Sequence, residues 1–414
     1  MRKIMASLDI GYNSIKFIVT ETSRNNVYVL SSSITPNDSY SLETGINLDI
    51  LETLLKKIIS DTEGKLGITI RKTILTIPTS SASFTVNYAR TNIKNEEHLV
   101  SVSDVSRVVN LAGKNVIQEN MELVNITPLY FILDNGEKTL EPVNTFSKTL
   151  EVKALVTSSL KSDIYRMIEV LEHLGVSVID ISYDEIGEYF NSRDEETDKS
   201  NGIIVDMGYL STRVSLFNKG ILVNTCDIKV GGLNILKDIS YVYKVSLNTA
   251  KEIYNSLGLA STKNASNLEK IEIKDKNGDK VIINQYNLSE VIASRIKEIL
   301  SMAKKQINTL TKRKISYIIC TGGIANLRDF DLLCIDVFSK NVKVSHVSTI
   351  GIRDNRYASS YGLIKWYDYN AKLKNYDYSI LSLEEQEEFS REEKETKNSS
   401  NSIIGKVFDY FFEN

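Results

Sequence analysis

Two stretches of this chain repeat the same residue types at the same spacing. Residues 8–19 read LDIGYNSIKFIV and residues 205–216 read VDMGYLSTRVSL, so that Asp, Gly, Tyr and Ser recur in register and Lys16 is matched by Arg213. Each copy begins at the end of an apolar run and leads into another, which predicts a strand, a glycine-bearing turn and a second strand. Glycine in such a turn lets neighbouring backbone N–H groups point outward together, a concavity suited to phosphate oxygens. A carboxylate just before the turn repels bare phosphate, so its useful role is to hold a hydrated Mg2+ that bridges phosphate and protein. A single D-x-G is ordinary strand-to-turn punctuation. Two copies in matching contexts instead suit two hairpins, headed by Asp9 and Asp206, that face each other across a cleft and clamp a nucleoside triphosphate.

A third element occurs at residues 315–324, where the strand-like ISYIICT ends in Gly322 and Gly323, and IANLRDF reads as the start of a helix. Strand, glycine pair and helix N-terminus place backbone donors and a positive dipole end beside a ligand; a tight β-to-α connection with no ligand has the same pattern. Turnover of a bound triphosphate needs a side chain that orients water on the γ-phosphate. Asp184 and Glu185, just after the strand-like residues 176–181, are candidates. Acids stabilised by a helix N-terminus are the alternative.

These motifs need a scaffold to hold them. The chain has 414 residues, 42% hydrophobic and 25% charged, which predicts roughly two to four domains and excludes wholesale disorder and a multi-span membrane protein. With 50 Lys+Arg against 53 Asp+Glu and a net charge of −3, nothing global points to nucleic acid. Cys226, Cys320 and Cys334 have no CxxC spacing, and His98, His173 and His346 do not join them in a ligand pattern. Neither a disulfide framework nor a zinc site is expected. The apolar stretch from Ile4 to Leu8 meets Asp9, too short for a signal-peptide core, and a cytoplasmic location is expected. No run approaches the roughly 18 apolar residues of a spanning helix, so any membrane contact is expected to be peripheral.

Along the chain, residues 104–116 place Val105, Val108, Val109 and Ala112 at helical spacing, and strand-like runs at 121–133 and 148–157 flank an Asn135-Gly136 turn. Together they predict a compact α/β insert. The polar run NSRDEETDKSN at 191–201 reads as a solvated linker. Beyond it come strands at 202–207, 213–218 and 221–228, then a hairpin in LEKIEIKDKNGDKVIIN whose Asn277-Gly278 pair signals a type I′ turn. A long helix is expected at about 289–312.

The twin hairpins, the T-G-G element and their order resemble the phosphate-1, phosphate-2 and adenosine motifs of the actin and sugar-kinase superfamily. Within it the chain most resembles the FtsA family, through VDMGYLSTRVSLFNKGIL at 205–222, VGG at 230–232 and DNRYASSYGLIKW at 354–366, which is similar to the family's second connecting helix. The resemblance implies an α/β, actin-like two-lobed ATPase fold with a small inserted α/β subdomain in the first lobe and a C-terminal amphipathic helix. The first-lobe core would comprise 1–83, 159–190 and 353–378, with 84–158 inserted. The second-lobe core would comprise 200–235 and 313–352, with 236–312 as its outer subdomain, 379–402 as linker and 403–414 as the terminal helix.

The same resemblance implies ATP and Mg2+ as ligands. Asp9, Gly11, Tyr12, Asn13 and Lys16 would form the first phosphate loop, and Asp206, Gly208, Leu210, Ser211 and Thr212 the second, with Asp9 and Asp206 nearest the metal. Gly322, Gly323 and Ile324 would lie against the adenosine and α-phosphate. Lys251 and Glu252, on the helix TAKEIYNSLG, would flank sugar and base, with a solvated helix face as the alternative. The second loop departs from the family's D-[IM]-G-G-G-x-T, since Tyr209 and Leu210 stand where glycines are usual, and slow or no ATP turnover is expected. The implied partners are the C-terminal peptide of FtsZ on 236–312, further copies of the chain in a filament, other divisome proteins and the lipids of the cytoplasmic membrane at the division site. A pilus-assembly or shape-determining scaffold, or a small-molecule kinase of the same fold, are the competing readings.

Residues 383–402 are polar and charged, and the segment after them has the opposite character. Ile403, Ile404, Val407, Phe408, Phe411 and Phe412 project from one face of a helix. Set off from the body by a soluble tether, this face suits an interfacial anchor more than a core-docking helix. Each such side chain contributes about 1.5–3 kcal/mol at most when buried, enough together for reversible binding to lipid. Lys406, Asp409 and Glu413 on the polar face leave little attraction to anionic headgroups.

Overall fold

The computed structural model describes residues 3–373 apart from Arg24, Asn25, Asn115 and Lys340, and also Ser379. The expected terminal helix at 403–414 and most of the expected linker lie outside the described residues. Among the described residues no helix is long and apolar enough to cross a membrane.

The chain opens with β1 (Lys3–Ile10), β2 (Ser14–Ser23) and β3 (Asn26–Pro36), an antiparallel meander. A small pair, β4 (Tyr40–Ser41) and β5 (Gly45–Ile46), leads to α1 (Leu48–Leu66) and β6 (Lys72–Ile77), which pairs parallel with β1. Asn47 caps α1 by accepting from the Ile50 amide, and Gly67 ends it at φ 68. The insert comes next as β7 (Ser83–Asn92), α2 (Val102–Gly113), β8 (Met121–Leu133), β9 (Lys138–Thr139) and β10 (Thr149–Leu160). Its sheet order is β7-β10-β8-β9, and Val108 and Ala112 of α2 join Phe131 and Val152 in a core of its own. Then α3 (Lys161–His173), β11 (Ser177–Tyr183) and α4 (Asp184–Ser192) complete the first lobe.

The second lobe runs β12 (Asn201–Met207), β13 (Thr212–Asn218), β14 (Ile221–Ile228), α5 (Gly232–Tyr243), α6 (Leu247–Leu257), β15 (Lys270–Lys274), β16 (Lys280–Asn284) and α7 (Gln285–Leu310). It continues with β17 (Tyr317–Thr321), α8 (Phe330–Phe338) and β18 (Val342–Val344), and α9 (Ala358–Leu373) returns to the first lobe. The first sheet, read β3-β2-β1-β6-β11, and the second, read β14-β13-β12-β17-β18, have the same order. Each is three antiparallel strands joined to two parallel ones. Alternate side chains of the central strands enter different cores: Ile203, Val205 and Met207 of β12 pack in the second lobe while Ile204 packs with the first. Both faces are therefore buried, which is why these strands read as unbroken apolar runs.

Two expectations change. The run at 191–201 is an ordered connector, because Arg193 pairs with Asp198 at 2.7 Å, Asn191 and Ser192 bond Ser345, and Thr197 is buried. The β15–β16 turn is not type I′: of its residues only Gly278 has positive φ, at 88, and the Gly278 amide donates to Asp275 O. Type I′ needs positive φ at both central residues, so a type I turn closed by left-handed glycine forms instead.

The two segments that join the lobes, α4 and α9, cross with no side chain between them. A Cβ on Gly187 would stand 2.0 Å from the Ser359 carbonyl oxygen, and one on Gly362 would stand 1.7 Å from that of Gly187. Gly187→Ala is expected to cost about 3 kcal/mol in urea unfolding, as overpacking does. Gly64→Ala, where a Cβ meets nothing within 4 Å, is expected to gain about 0.5 kcal/mol from helix propensity.

Candidate functional site between the lobes

The two hairpins predicted from the repeat have the same geometry. In β1–β2 Asp9 pairs with Lys16, and in β12–β13 Asp206 pairs with Arg213. Both turns close with the same hydrogen bond, Gly11 N to Ser14 O at 3.1 Å and Gly208 N to Ser211 O at 3.0 Å. No residue in either turn has positive φ, so Tyr209 and Leu210 fit without backbone strain. A Cβ at Gly11 would meet Lys16 Nζ at 2.7 Å and Ser14 O at 3.1 Å, so the lysine head would have to shift aside.

The carbonyls of both turns are tied from behind. Asn37 donates its side-chain amide to Gly11 O and its backbone amide to Asn13 O. At the second turn Gly232 N donates to Gly208 O at 2.9 Å and Leu233 N to Tyr209 O at 2.8 Å. The V-G-G sequence serves this contact, since a Cβ on Gly231 would lie 2.7 Å from both of those oxygens. The first amides of α5 thus hold the loop. The amides of Tyr12, Asn13, Tyr209 and Leu210 have no acceptor among the described residues, and they are the donors such a turn offers an anion.

A cavity of about 780 Å3 separates the hairpins. Of the residues singled out in the sequence, Asp9, Gly11, Tyr12, Asn13, Lys16, Asp184, Asp206, Gly208, Leu210, Ser211, Lys251, Gly322, Gly323 and Ile324 line it. Three do not. Thr212 is the buried strand neighbour of Ser211 and donates to Val230 O. Glu185 lies behind the wall, accepting from Thr79 and Arg213, and Glu252 is turned outward on α6. Glu188, Tyr254, Asn255, Asn326 and Arg356 also line the cavity, and sequence reasoning missed them. Glu188 had a usable signal, standing one helical turn beyond Asp184.

The T-G-G element departs from the helix start expected of it. Gly323–Asn326 is a single 3-10 turn, and α8 begins only at Phe330. Ile324 and Ala325 are buried while Asn326 turns to Asp354 at 2.8 Å, and extended Leu327 ends the turn. Gly322, at φ 92, brings the chain so close to Asp206 that a Cβ would lie 2.3 Å from its Oδ1, so glycine is required there on both counts.

The charges divide unequally. Lys16 stays on its own hairpin, 3.1 Å from Asp9. Its counterpart Arg213 is buried and reaches Asp184 Oδ2 at 2.8 Å, Glu185 Oε1 at 2.5 Å and Asp227 Oδ1 at 2.9 Å. Burial works against the Arg213 charge, but these carboxylates outweigh it and keep the guanidinium protonated. Burial pushes Asp184 well above the usual carboxylate range against the pull of Arg213. It does the same to Glu188, with Asp206 and Asp184 adding repulsion. Asp206 is pushed up to about 6, mainly by burial.

No group of three or more His, Cys, Asp or Glu among the described residues closes directly around a metal. Hard carboxylate oxygens are nonetheless present at Asp9 and Asp206, and Asp184 Oδ1 and Glu188 Oε2 are buried without a partner. This donor set fits a Mg2+ held largely through water. Without ligand the ionised Asp206 is a cost, because its folded form holds a proton that the unfolded chain, near 3.8, has released. Its contribution to stability is present below pH 4 and is lost as pH rises through 6. Asp206→Asn is expected to raise ligand-free stability at pH 7.5 by on the order of 1–3 kcal/mol and to flatten the fall between pH 4 and 6, read from thermal unfolding.

Comparison with known proteins agrees with this architecture. A family model described as cell division protein FtsA matches residues 203–362, and one described as the SHS2 domain inserted in FtsA matches residues 80–158. The cell division protein FtsA of Bacillus subtilis (strain 168) is 27% identical over 379 residues, spanning 90% of this chain and 85% of that one. Among solved structures, the PilM–PilN type IV pilus biogenesis complex matches with a TM-score of 0.59 at 12% identity, covering 87% of this chain and 98% of the other. MreB5 of Spiroplasma citri bound to ADP matches at 0.55 and 13% identity, covering 90% and 99%. The chain belongs to the FtsA family of actin-like cell division proteins.

Proposed function

We propose that the chain binds a Mg2+–ATP complex between its lobes, associates with copies of itself, and tethers FtsZ filaments to the cytoplasmic membrane through residues 403–412. The observation that carries the nucleotide reading is the pair of facing turns whose outward amides lack acceptors while their carbonyls are secured from behind. Tyr12, Asn13, Leu210 and Ser211 would hold the phosphates, with Lys16 as counter-charge. Gly322, Gly323 and Ile324 would lie along the adenosine, and Lys251, Tyr254 and Asn255 beside sugar and base. Asp9 and Asp206 would hold the Mg2+, whose role is to neutralise phosphate charge. MreB5, similar in fold, is described bound to ADP and to AMPPNP.

Turnover would be slow. Asp184 is the one of the two candidate acids that faces the cavity, and its Oδ2 is committed to Arg213. Glu185 is buried away from it. Nucleotide would then act on conformation, favouring the closed arrangement by binding it more tightly than the open one. Weak single anchors gain from polymerisation, because a filament presents many to one surface. Membership of the FtsA family supports self-association and divisome partners at the division site, and the 236–312 region is the proposed seat of the FtsZ C-terminal peptide.

Two measurements test this reading. Asp206→Ala is expected to weaken Mg2+–ATP binding by roughly ten- to a hundredfold in isothermal titration, and unchanged affinity would remove Asp206 from the site. Deleting 403–414 is expected to abolish sedimentation with liposomes while leaving the thermal transition in place; continued sedimentation would place the anchor elsewhere.

A further inference from the structure

Among the residues that line the cavity, Arg356 stands beside the glycine step proposed to carry the adenosine. It belongs to a 3-10 turn, Asn355–Tyr357, just before α9. A Cβ on Gly323 would lie 3.5 Å from Arg356 Cγ and 3.9 Å from its Cδ, so the stem of the side chain rests on that step. Its head is held at one edge: Nε donates to both oxygens of Asp354 at 3.0 Å, and Nη2 donates to Oδ2 at 2.5 Å. Asp354 is fixed in turn by the Asn326 side chain at 2.8 Å and by the Arg356 amide at 2.9 Å. Burial works against the Asp354 charge, but the hydrogen bonds from Arg356 outweigh it and hold the carboxyl below its usual range. A carboxylate takes the rim of a guanidinium and leaves its faces free, and such a plane stacks on aromatic rings. The Arg356 side chain is still 40% exposed, and because Asp354 already orders it, little freedom is lost on stacking.

The polar groups at the same end are poorly placed to tell one purine from another. Strong discrimination needs a buried donor or acceptor that the wrong base leaves unpaired. The Asn326 amide is spent at both ends, with Nδ2 donating to Asp354 and Oδ1 accepting from the Asn355 amide at 2.8 Å. Across the cavity, Lys251 and Asn255 of α6 are exposed, so water can replace any hydrogen bond a base makes there. Tyr254 offers a hydroxyl that donates or accepts and so serves an amino group as well as a carbonyl. Leu236 and Leu327 add apolar surface. We propose that Arg356 is the stacking surface for the nucleobase, and that the site selects a purine triphosphate by its face and its phosphates, with little distinction between adenine and guanine. The inference rests on the reading of the cleft as a nucleotide site and names how the base is held there.

The test titrates the full chain by calorimetry with ATP, GTP, UTP and inorganic tripolyphosphate, each at excess Mg2+. Wild type is expected to bind ATP and GTP within about threefold of each other and UTP, with its smaller face, about tenfold more weakly. Arg356→Ala is expected to lose about tenfold or more in affinity for ATP and GTP while binding tripolyphosphate as wild type does. Arg356→Lys keeps the charge beside Asp354 without the plane and is expected to recover only part of that loss. ATP bound by wild type about a hundredfold more tightly than GTP, or bound by Arg356→Ala as tightly as by wild type, overturns the proposal. An equal loss of ATP and tripolyphosphate binding in Arg356→Ala also overturns it, because the damage would then lie in the phosphate turns. Tripolyphosphate bound by wild type as tightly as ATP would overturn the stacking and leave those turns standing. Failure of wild type to bind any of the four would sink the nucleotide reading itself, and the proposal with it.

Discussion

Arg213 is the interaction on which the cleft depends. It leaves a hairpin that pairs it in register with Asp206, yet its guanidinium is buried against Asp184 and Glu185 of α4 and Asp227 of β14. A buried network of this kind adds little net stability over an apolar replacement, whereas loss of one member strands charge at a cost of about 3–5 kcal/mol. Its effect is positional. It ties the second loop to a helix of the first lobe and so sets how far apart the two turns stand. Lys16, at the matching place, stays with Asp9, so one duplicated design carries a counter-charge on one side and a strut on the other.

The duplication extends beyond the turns to the sheets. Five strands in the same order, with the same mixture of antiparallel and parallel pairs, occur in each lobe. Loops at corresponding ends of equivalent strands face each other, and this brings Asp9 and Asp206 to one cavity although they are distant in sequence. The backing differs between copies. Asn37, beyond β3, secures the first turn, and the opening residues of α5 secure the second.

The features legible in the sequence were local or repeated. Strand alternation and the D-x-G spacing located both hairpins and the strand before Gly322, and with the family resemblance they supplied the phosphate-facing part of the cavity wall. The three singled-out residues that do not line the cavity each differ by one residue in direction from one that does. Glu185 is rotated from Asp184 by about 100° around a helix, and Glu252 from Lys251 in the same way. Thr212 succeeds Ser211 into a strand, where neighbours point to opposite faces. Nothing in the sequence marks which direction faces the cavity, because that depends on where the other lobe sits. The destination of Arg213 was hidden for the same reason. The helix expected after Gly323 failed because Ile324 and Ala325 pack inward while Asn326 must reach Asp354, which one tight turn achieves.

The backbone contact of Gly187 with Gly362 and Ser359 means that both covalent bridges between the lobes touch where no side chain cushions them. Such a joint resists sliding and admits rotation, as a pair of scissors does at its rivet. An angular change at the rivet grows into displacement in proportion to distance from it, so atoms at the outer rims sweep the longest arcs.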